Sequence, residues 1–253
     1  MRYLRSPARI ATQKVATSRA TRTGTDIVEK TTLRTAIPGL LLYYNFTQGS
    51  IASSDGAFYF KDLSNNRKDA TIVNSPTIND GYIRFDGVDD YATVATTYND
   101  PAFPQGASSR TLIAVWDQSQ TGYGSGPYNH IFHYGSTYGD GAYGLTTKSN
   151  NTFHNHTWNG GAYTALDVTS GAHFGAFVYD GQGDSVYLDG TFTDLGERTI
   201  NTGNVHDANI AARIVPAEFF LGDIYAILVY NRVLSTRELD HLYKTFKSFY
   251  GFL

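Results

Sequence analysis

A length of 253 residues fits one large all-β domain or two small domains. The absence of cysteine excludes disulfides, thiol catalysis and thiolate metal sites. The net charge of −3 is unevenly spread: residues 1–36 hold eight Lys/Arg against two acids, and the remainder holds 12 bases against 21 acids. That asymmetry divides the chain into a basic extended arm, residues 1–37, and a body, residues 38–253.

The arm is rich in Ala, Thr, Ser and Arg, and neither helical nor strand periodicity is sustained in it. Its cations Arg2, Arg5, Arg9, Lys14, Arg19 and Arg22 make it a candidate docking segment for another subunit. They could also meet phosphate, but an acidic body disfavours a broad nucleic-acid face. No apolar run of about 18 residues is present, which excludes a membrane-spanning helix. The N-terminus lacks the apolar core of a secretory signal.

From Leu40 the pattern turns strand-like. Leu40–Phe46, Ala57–Leu63, Lys68–Val73, Tyr82–Phe85, Tyr91–Ala95 and Thr111–Asp117 are short aromatic or β-branched runs between Gly, Asn and Asp clusters. His130–Tyr134, Tyr143–Thr147, Thr152–Trp158, Ala172–Asp180, Ser185–Leu188, Ile210–Arg213 and Phe219–Tyr230 continue the series. Asp189-Gly190 is a two-residue hairpin signal. About a dozen strands without βα alternation predict an antiparallel sandwich or jelly roll. One helix is expected at about 235–250. Ser235 and Glu238 form a capping box, Leu239, Leu242, Tyr243 and Phe246 follow on one face, and Gly251 ends it. Its apolar face predicts packing on the sandwich near an edge.

Three segments, taken in order, resemble the laminin-G-like and concanavalin A-like jelly-roll family, the lectin/glucanase superfamily of bacterial and phage proteins. Tyr82-Ile83-Arg84-Phe85-Asp86-Gly87-Val88-Asp89-Asp90-Tyr91 is similar to the family's F-D-G-x-D-D-Y hairpin. Asp184-Ser185-Val186-Tyr187-Leu188-Asp189-Gly190 is similar to its x-L-Y-V-D-G hairpin. The stretch Phe220–Tyr225, then Val229-Tyr230-Asn231-Arg232-Val233-Leu234-Ser235 and Glu238, resembles its closing strand and helix. The resemblance covers residues 38–253. It implies an all-β antiparallel sandwich with one C-terminal helix, and it implies calcium as a candidate ligand. Gly87 and Gly190 suit positive-φ turns, and Asn231 with Arg232 is expected to tie strand end to helix start. These motifs specify a fold, not an activity.

The candidate site residues are of three kinds. Tyr123, Tyr128, Tyr138, Tyr143, Trp158 and Tyr163, among Gly, Ser and Asn, offer aromatic faces for a glycan or a protein, or else pack inside the sandwich. Asp86, Asp89 and Asp90 form the densest acidic cluster, read either as a calcium site or as turn-forming aspartates. The pairs His130-x-x-His133 and His154-x-His156 could grip a metal or could be ordinary strand histidines. The second pair has the spacing that puts both rings on one strand face. No paired-carboxylate motif of a retaining glycosidase is present; Glu197, Glu218 and Glu238 each lack a partner.

The functional expectation is a non-enzymatic virion structural protein, either a capsid decoration or a tail or fibre component. Its residues 1–37 would bind other virion subunits, and its lectin-like domain would face outward toward cell-surface polysaccharide. Such a protein is made in the host cytoplasm, ends on the virion surface and forms homo-oligomers within a larger assembly. The alternative is a carbohydrate-binding module of a bacterial surface protein, and the third reading is a glycan-active hydrolase or lyase.

Overall fold

The fold was described from a computed structural model, which covers residues 37–47, 50–54, 56–96, 100–118, 126–149, 151–158, 160–168, 171–203 and 206–251, with backbone alone for 160–167. Residues 1–36 of the basic arm lie outside the described residues, and with them Arg2, Arg5, Arg9, Lys14, Arg19 and Arg22.

Period-2 alternation gives each strand an inner and an outer face, and two antiparallel sheets pack their inner faces together. In the first sheet, β15 (Thr191–Glu197), β14 (Gly183–Leu188), β13 (Ala172–Tyr179), β8 (Arg110–Asp117), β17 (Leu221–Tyr230), β6 (Ile83–Asp86) and β5 (Thr77–Ile78) lie side by side. The second half of β17 also pairs with β1 (Leu40–Asn45). The second sheet runs β12 (Gly160–Asp167), β11 (Thr152–Thr157), β10 (Ala142–Lys148), β9 (Tyr128–Gly135), β16 (His206–Ile210), β7 (Tyr91–Val94), β4 (Ala70–Val73), β3 (Ala57–Phe60) and β2 (Ile51–Ser54). The all-β sandwich with one C-terminal helix is therefore as expected.

The inter-sheet core is aromatic. Phe46 meets Phe60 edge-on at 4.8 Å, and Trp116 stacks on Phe153 at 4.7 Å. Ring pairs of this kind add about 0.5–1.5 kcal/mol beyond their buried area. Arg110 is wholly buried at one end of this core. Its guanidinium donates to the carbonyls of Pro104, Gly106 and Ser108 and to Thr202 and Tyr134, and it lies against the rings of Tyr143 and Tyr179.

The helix α1 (Thr236–Tyr250) has the anticipated ends: Ser235 and Glu238 form a capping box, and Gly251 closes it at φ +72. Arg232 grips Glu238 with two nitrogens at 2.6 and 3.1 Å and donates to the Pro38 carbonyl, so it does tie strand to helix. The Arg232 pair holds the Glu238 carboxyl down at about 2. The expectation of packing near an edge is corrected. Leu239, Leu242 and Phe246 cover the outer face of the central strands, against Ile113, Val115, Phe174, Ala176 and Leu228. The central strands β8 and β17 are thus buried on both faces, which is why they read as mostly apolar runs rather than alternating ones.

Two turn segments of the motifs behave differently. Asp189 and Gly190 both have positive φ, and β14 and β15 form the expected hairpin. The Asp86–Asp90 turn does not make a hairpin: β6 belongs to the first sheet and β7 to the second, so this turn carries the chain across the sandwich. The segment read as a strand at Ile210–Arg213 is instead the end of β16 and the start of a loop. No helix among the described residues is long and apolar enough to cross a membrane.

Candidate functional site: a histidine-rich outer face

On β11, Phe153 and Asn155 point inward, Phe153 onto Trp116 and Asn155 to Asp184, so alternation turns His154 and His156 outward. On β9, Phe132 and Tyr134 enter the core and His133 faces out. His130, three residues earlier, would fall on the opposite face of a regular strand. A bulge corrects this: Thr146 pairs with His130 and Leu145 with Phe132, leaving Ile131 as the extra residue. Both histidine pairs therefore meet on the outer face of the second sheet. His133 fits because Gly144 beside it has no side chain; a Cβ there would lie 2.3 Å from the ring.

The loop after β16 folds over this face. The Ile214 N–H donates to His133 Nδ1 at 3.1 Å, and Glu218 Oε2 lies 3.4 Å from His130 Nε2 and 3.4 Å from the Arg213 guanidinium. Ala211 and Glu218, near the two ends of this loop, sit at φ +64 and +52, an uncommon left-handed geometry for residues with side chains. His133 Nε2 is 3.1 Å from His156 Nδ1. One ligand atom from each of His130, His133 and His156 lies within 4.8 Å of the others. Burial pushes the His130 and His133 imidazoles well below their ordinary range, with mutual repulsion adding to it. The same desolvation lowers His154 to about 3 and His156 to about 4.

At the rim of the cluster, Tyr128 and Trp158 are half-buried. The Tyr128 ring touches His130, His154 and His156, with Lys148 Nζ 5.4 Å from its centroid. The Arg213 guanidinium lies over Trp158 at 5.0 Å. The result is a ledge of two aromatic rings flanked by cations, imidazoles and one carboxylate.

The other expected residues separate. Tyr138 is exposed at 51% in the β9–β10 loop, whose Asp140 N–H donates to the Trp158 carbonyl. Tyr143 is corrected: it is fully buried in the core, its hydroxyl donating to Asp184 at 2.7 Å, so no ligand reaches it. Tyr163 stands opposite His154 in the β11–β12 register, and Tyr123 lies outside the described residues. The Asp86, Asp89 and Asp90 carboxylates do converge within 4.8 Å. Their oxygens serve the turn: Asp86 accepts from Val88 and Asp89, and Asp90 accepts from Ser75.

No protein-family model matches the chain, and no curated protein does. Solved structures do share its fold. The chain is similar to Trypanosoma rangeli sialidase in complex with sialic acid, at TM-score 0.61 and 17% identity, over 82% of this chain and 33% of that one. The chain thus spans about a third of the length of the sialidases it matches. It is also similar to domain 4 of AbnA, a GH43 extracellular arabinanase from Geobacillus stearothermophilus, in complex with arabinotriose, at TM-score 0.56 and 16% identity, over 80% of this chain and 97% of that domain.

These likenesses overturn the expectation of a non-enzymatic virion structural protein. The fold recurs in part of a sialidase and in a domain of an arabinanase, and neither likeness gives support to a capsid, tail or fibre role. That expectation rested on the missing secretory signal and on the charge of residues 1–36, which lie outside the described residues.

Proposed function

We propose that the body, residues 38–253, is a carbohydrate-binding module of the laminin-G-like or concanavalin A-like kind, working as part of a carbohydrate-active protein. The observation that carries this reading is the ledge on the outer face of the second sheet. Tyr128 and Trp158 are half-buried rings at the rim, each with a cation beside it, and Lys148, His156 and Arg213 are the polar groups that would meet a sugar's hydroxyls or carboxylate. The bound arabinotriose of the AbnA domain, which the chain matches almost end to end, gives the reading its second support. Binding is favoured over turnover because Glu218, the carboxylate of the ledge, is already engaged by Arg213 and His130, whereas a retaining glycosidase needs two carboxyl groups about 5 Å apart.

A glycan array, followed by titration with arabino-oligosaccharides and sialylated oligosaccharides, tests this. Specific binding is expected, and Trp158→Ala and Tyr128→Ala should each weaken it by about tenfold or more, roughly 1.4 kcal/mol. No binding across the array, or binding untouched by both substitutions, refutes the ledge as a sugar site. A turnover screen on arabinans, sialosides, β-glucans and alginates that came out positive would move the reading to an enzyme.

A further inference from the structure

We propose that His130, His133 and His156 form a binding site for one borderline divalent cation of the zinc class on the outer face of the second sheet. The proposal shares His156 with the glycan reading but does not rest on it: it concerns the buried imidazoles beneath the ledge, and Co2+ binding is read without any sugar.

Four observations support it. First, the ligand atoms are already gathered. Zinc–imidazole bonds of about 2.0–2.1 Å place neighbouring nitrogens of a tetrahedral site roughly 3.3 Å apart. His133 Nε2 and His156 Nδ1 stand 3.1 Å apart, and one nitrogen of each of the three rings falls within 4.8 Å of the others. Second, His130 is oriented as a metal ligand is. Its Nε2 faces the Glu218 carboxylate, which Arg213 holds in turn, so the proton belongs on Nε2 and the lone pair on Nδ1. A carboxylate on the remote nitrogen is the usual outer partner of a metal-bound imidazole. Third, His130 Nδ1 is buried and makes no hydrogen bond among the described residues. A wholly buried nitrogen acceptor without a partner loses its hydration with nothing in return, and a cation there would supply the missing partner. Fourth, the backbone makes room for the trio: the β9 bulge turns His130 to the side of His133, and Gly144 leaves space for the His133 ring.

Hard cations fit poorly, since the donors are imidazoles rather than an oxygen cage. His156 is half-exposed while the other two rings are buried. The cation would enter from the His156 side.

Proton bookkeeping gives the site a signature. Without metal, the Ile214 N–H donates to His133 Nδ1, so the His133 proton sits on Nε2 and is donated to His156 Nδ1. A cation entering between those nitrogens takes the Nε2 lone pair. The His133 proton then moves to Nδ1 with no change in ring charge, and the Ile214 amide loses its acceptor. Loading should thus disturb Ile214, in the loop that lies over the cluster.

The test is titration of the full chain with Zn2+ and with Co2+ as a visible probe. One equivalent should bind, Co2+ should develop ligand-field bands, the melting temperature should rise with Zn2+, and the Ile214 amide resonance should shift. His156→Gln and His130→Gln should abolish the Co2+ bands, while Glu218→Gln, which keeps all three imidazoles, should weaken binding by about 10–100-fold. His241→Gln, on α1, should change nothing. Wild-type protein that takes up neither ion overturns the proposal. So does stoichiometric binding that survives His156→Gln in a variant whose circular dichroism matches wild type, or binding that falls equally with His241→Gln.

Discussion

The two outer faces of the sandwich are built from the same kind of antiparallel strand but are closed in opposite ways. Over the first sheet, α1 lays Leu239, Leu242 and Phe246 onto Phe174, Val115 and Leu228, a predominantly apolar seal. Over the second sheet, a loop between β16 and β17 lays Ile214 and Glu218 onto imidazoles, with Tyr128 and Trp158 half-open at the rim. A sheet face covered by a helix gains stability from area; the face covered by a loop with two left-handed residues keeps imidazoles and a carboxylate in contact. The difference teaches where to look for function in this molecule.

Substitutions can sharpen that contrast. Phe246→Ala should have the largest effect, about 3–5 kcal/mol lost in urea unfolding, because it opens a cavity under α1. Glycan and metal binding at the opposite face should persist in the fraction that stays folded; loss of both in the folded protein would break the division between faces. Gly144→Ala should cost about 1–3 kcal/mol, since the new methyl meets His133 and the Phe132 carbonyl. Combined with Phe246→Ala, its effect should add to within about 0.5 kcal/mol if the two faces are independent. Ser235→Ala removes the cap of α1 and should cost about 1 kcal/mol.

The smallest effect concerns acid. The Glu238 carboxyl is held at about 2 in the fold against 4.5 for an unpaired carboxyl, so the unfolded chain binds its proton first as pH falls. The contribution of the Arg232–Glu238 pair is complete above about pH 4.5 and fades as pH drops toward 2. Unfolding curves at a series of acidic pH values should show this slope, and Glu238→Gln should flatten it. An identical slope in that variant would mean that another group carries the acid sensitivity.

Much of the frame was legible locally. The capping box, the Asp189-Gly190 turn and the aromatic runs each announce their structure within a few residues. β15 carries no such mark: it is an edge strand with almost no buried position, so no apolar alternation announces it. The apolar face of α1 announced burial but not its destination, because sequence periodicity says which side of a helix is apolar and not which strands receive it. Of the aromatic residues singled out, Tyr128 and Trp158 reach the ledge and Tyr143 is core, a distinction that depends on sheet register.

The sequence by itself determined the class of fold, an all-β sandwich with one capped helix, because strand period, turn chemistry and caps are short-range properties. It also displayed two histidine pairs, and for His154 and His156 the shared face followed from alternation alone. Only tertiary structure decided that the pairs meet. That outcome needed a bulge in β9 to bring His130 to the side of His133, the pairing of β10 between β9 and β11, and a loop from beyond β16 that carries Arg213, Ile214 and Glu218 onto the rings. Those residues lie 80 or more positions from His133 or His130, and the contacts between them follow from strand order, which no local pattern in the chain encodes.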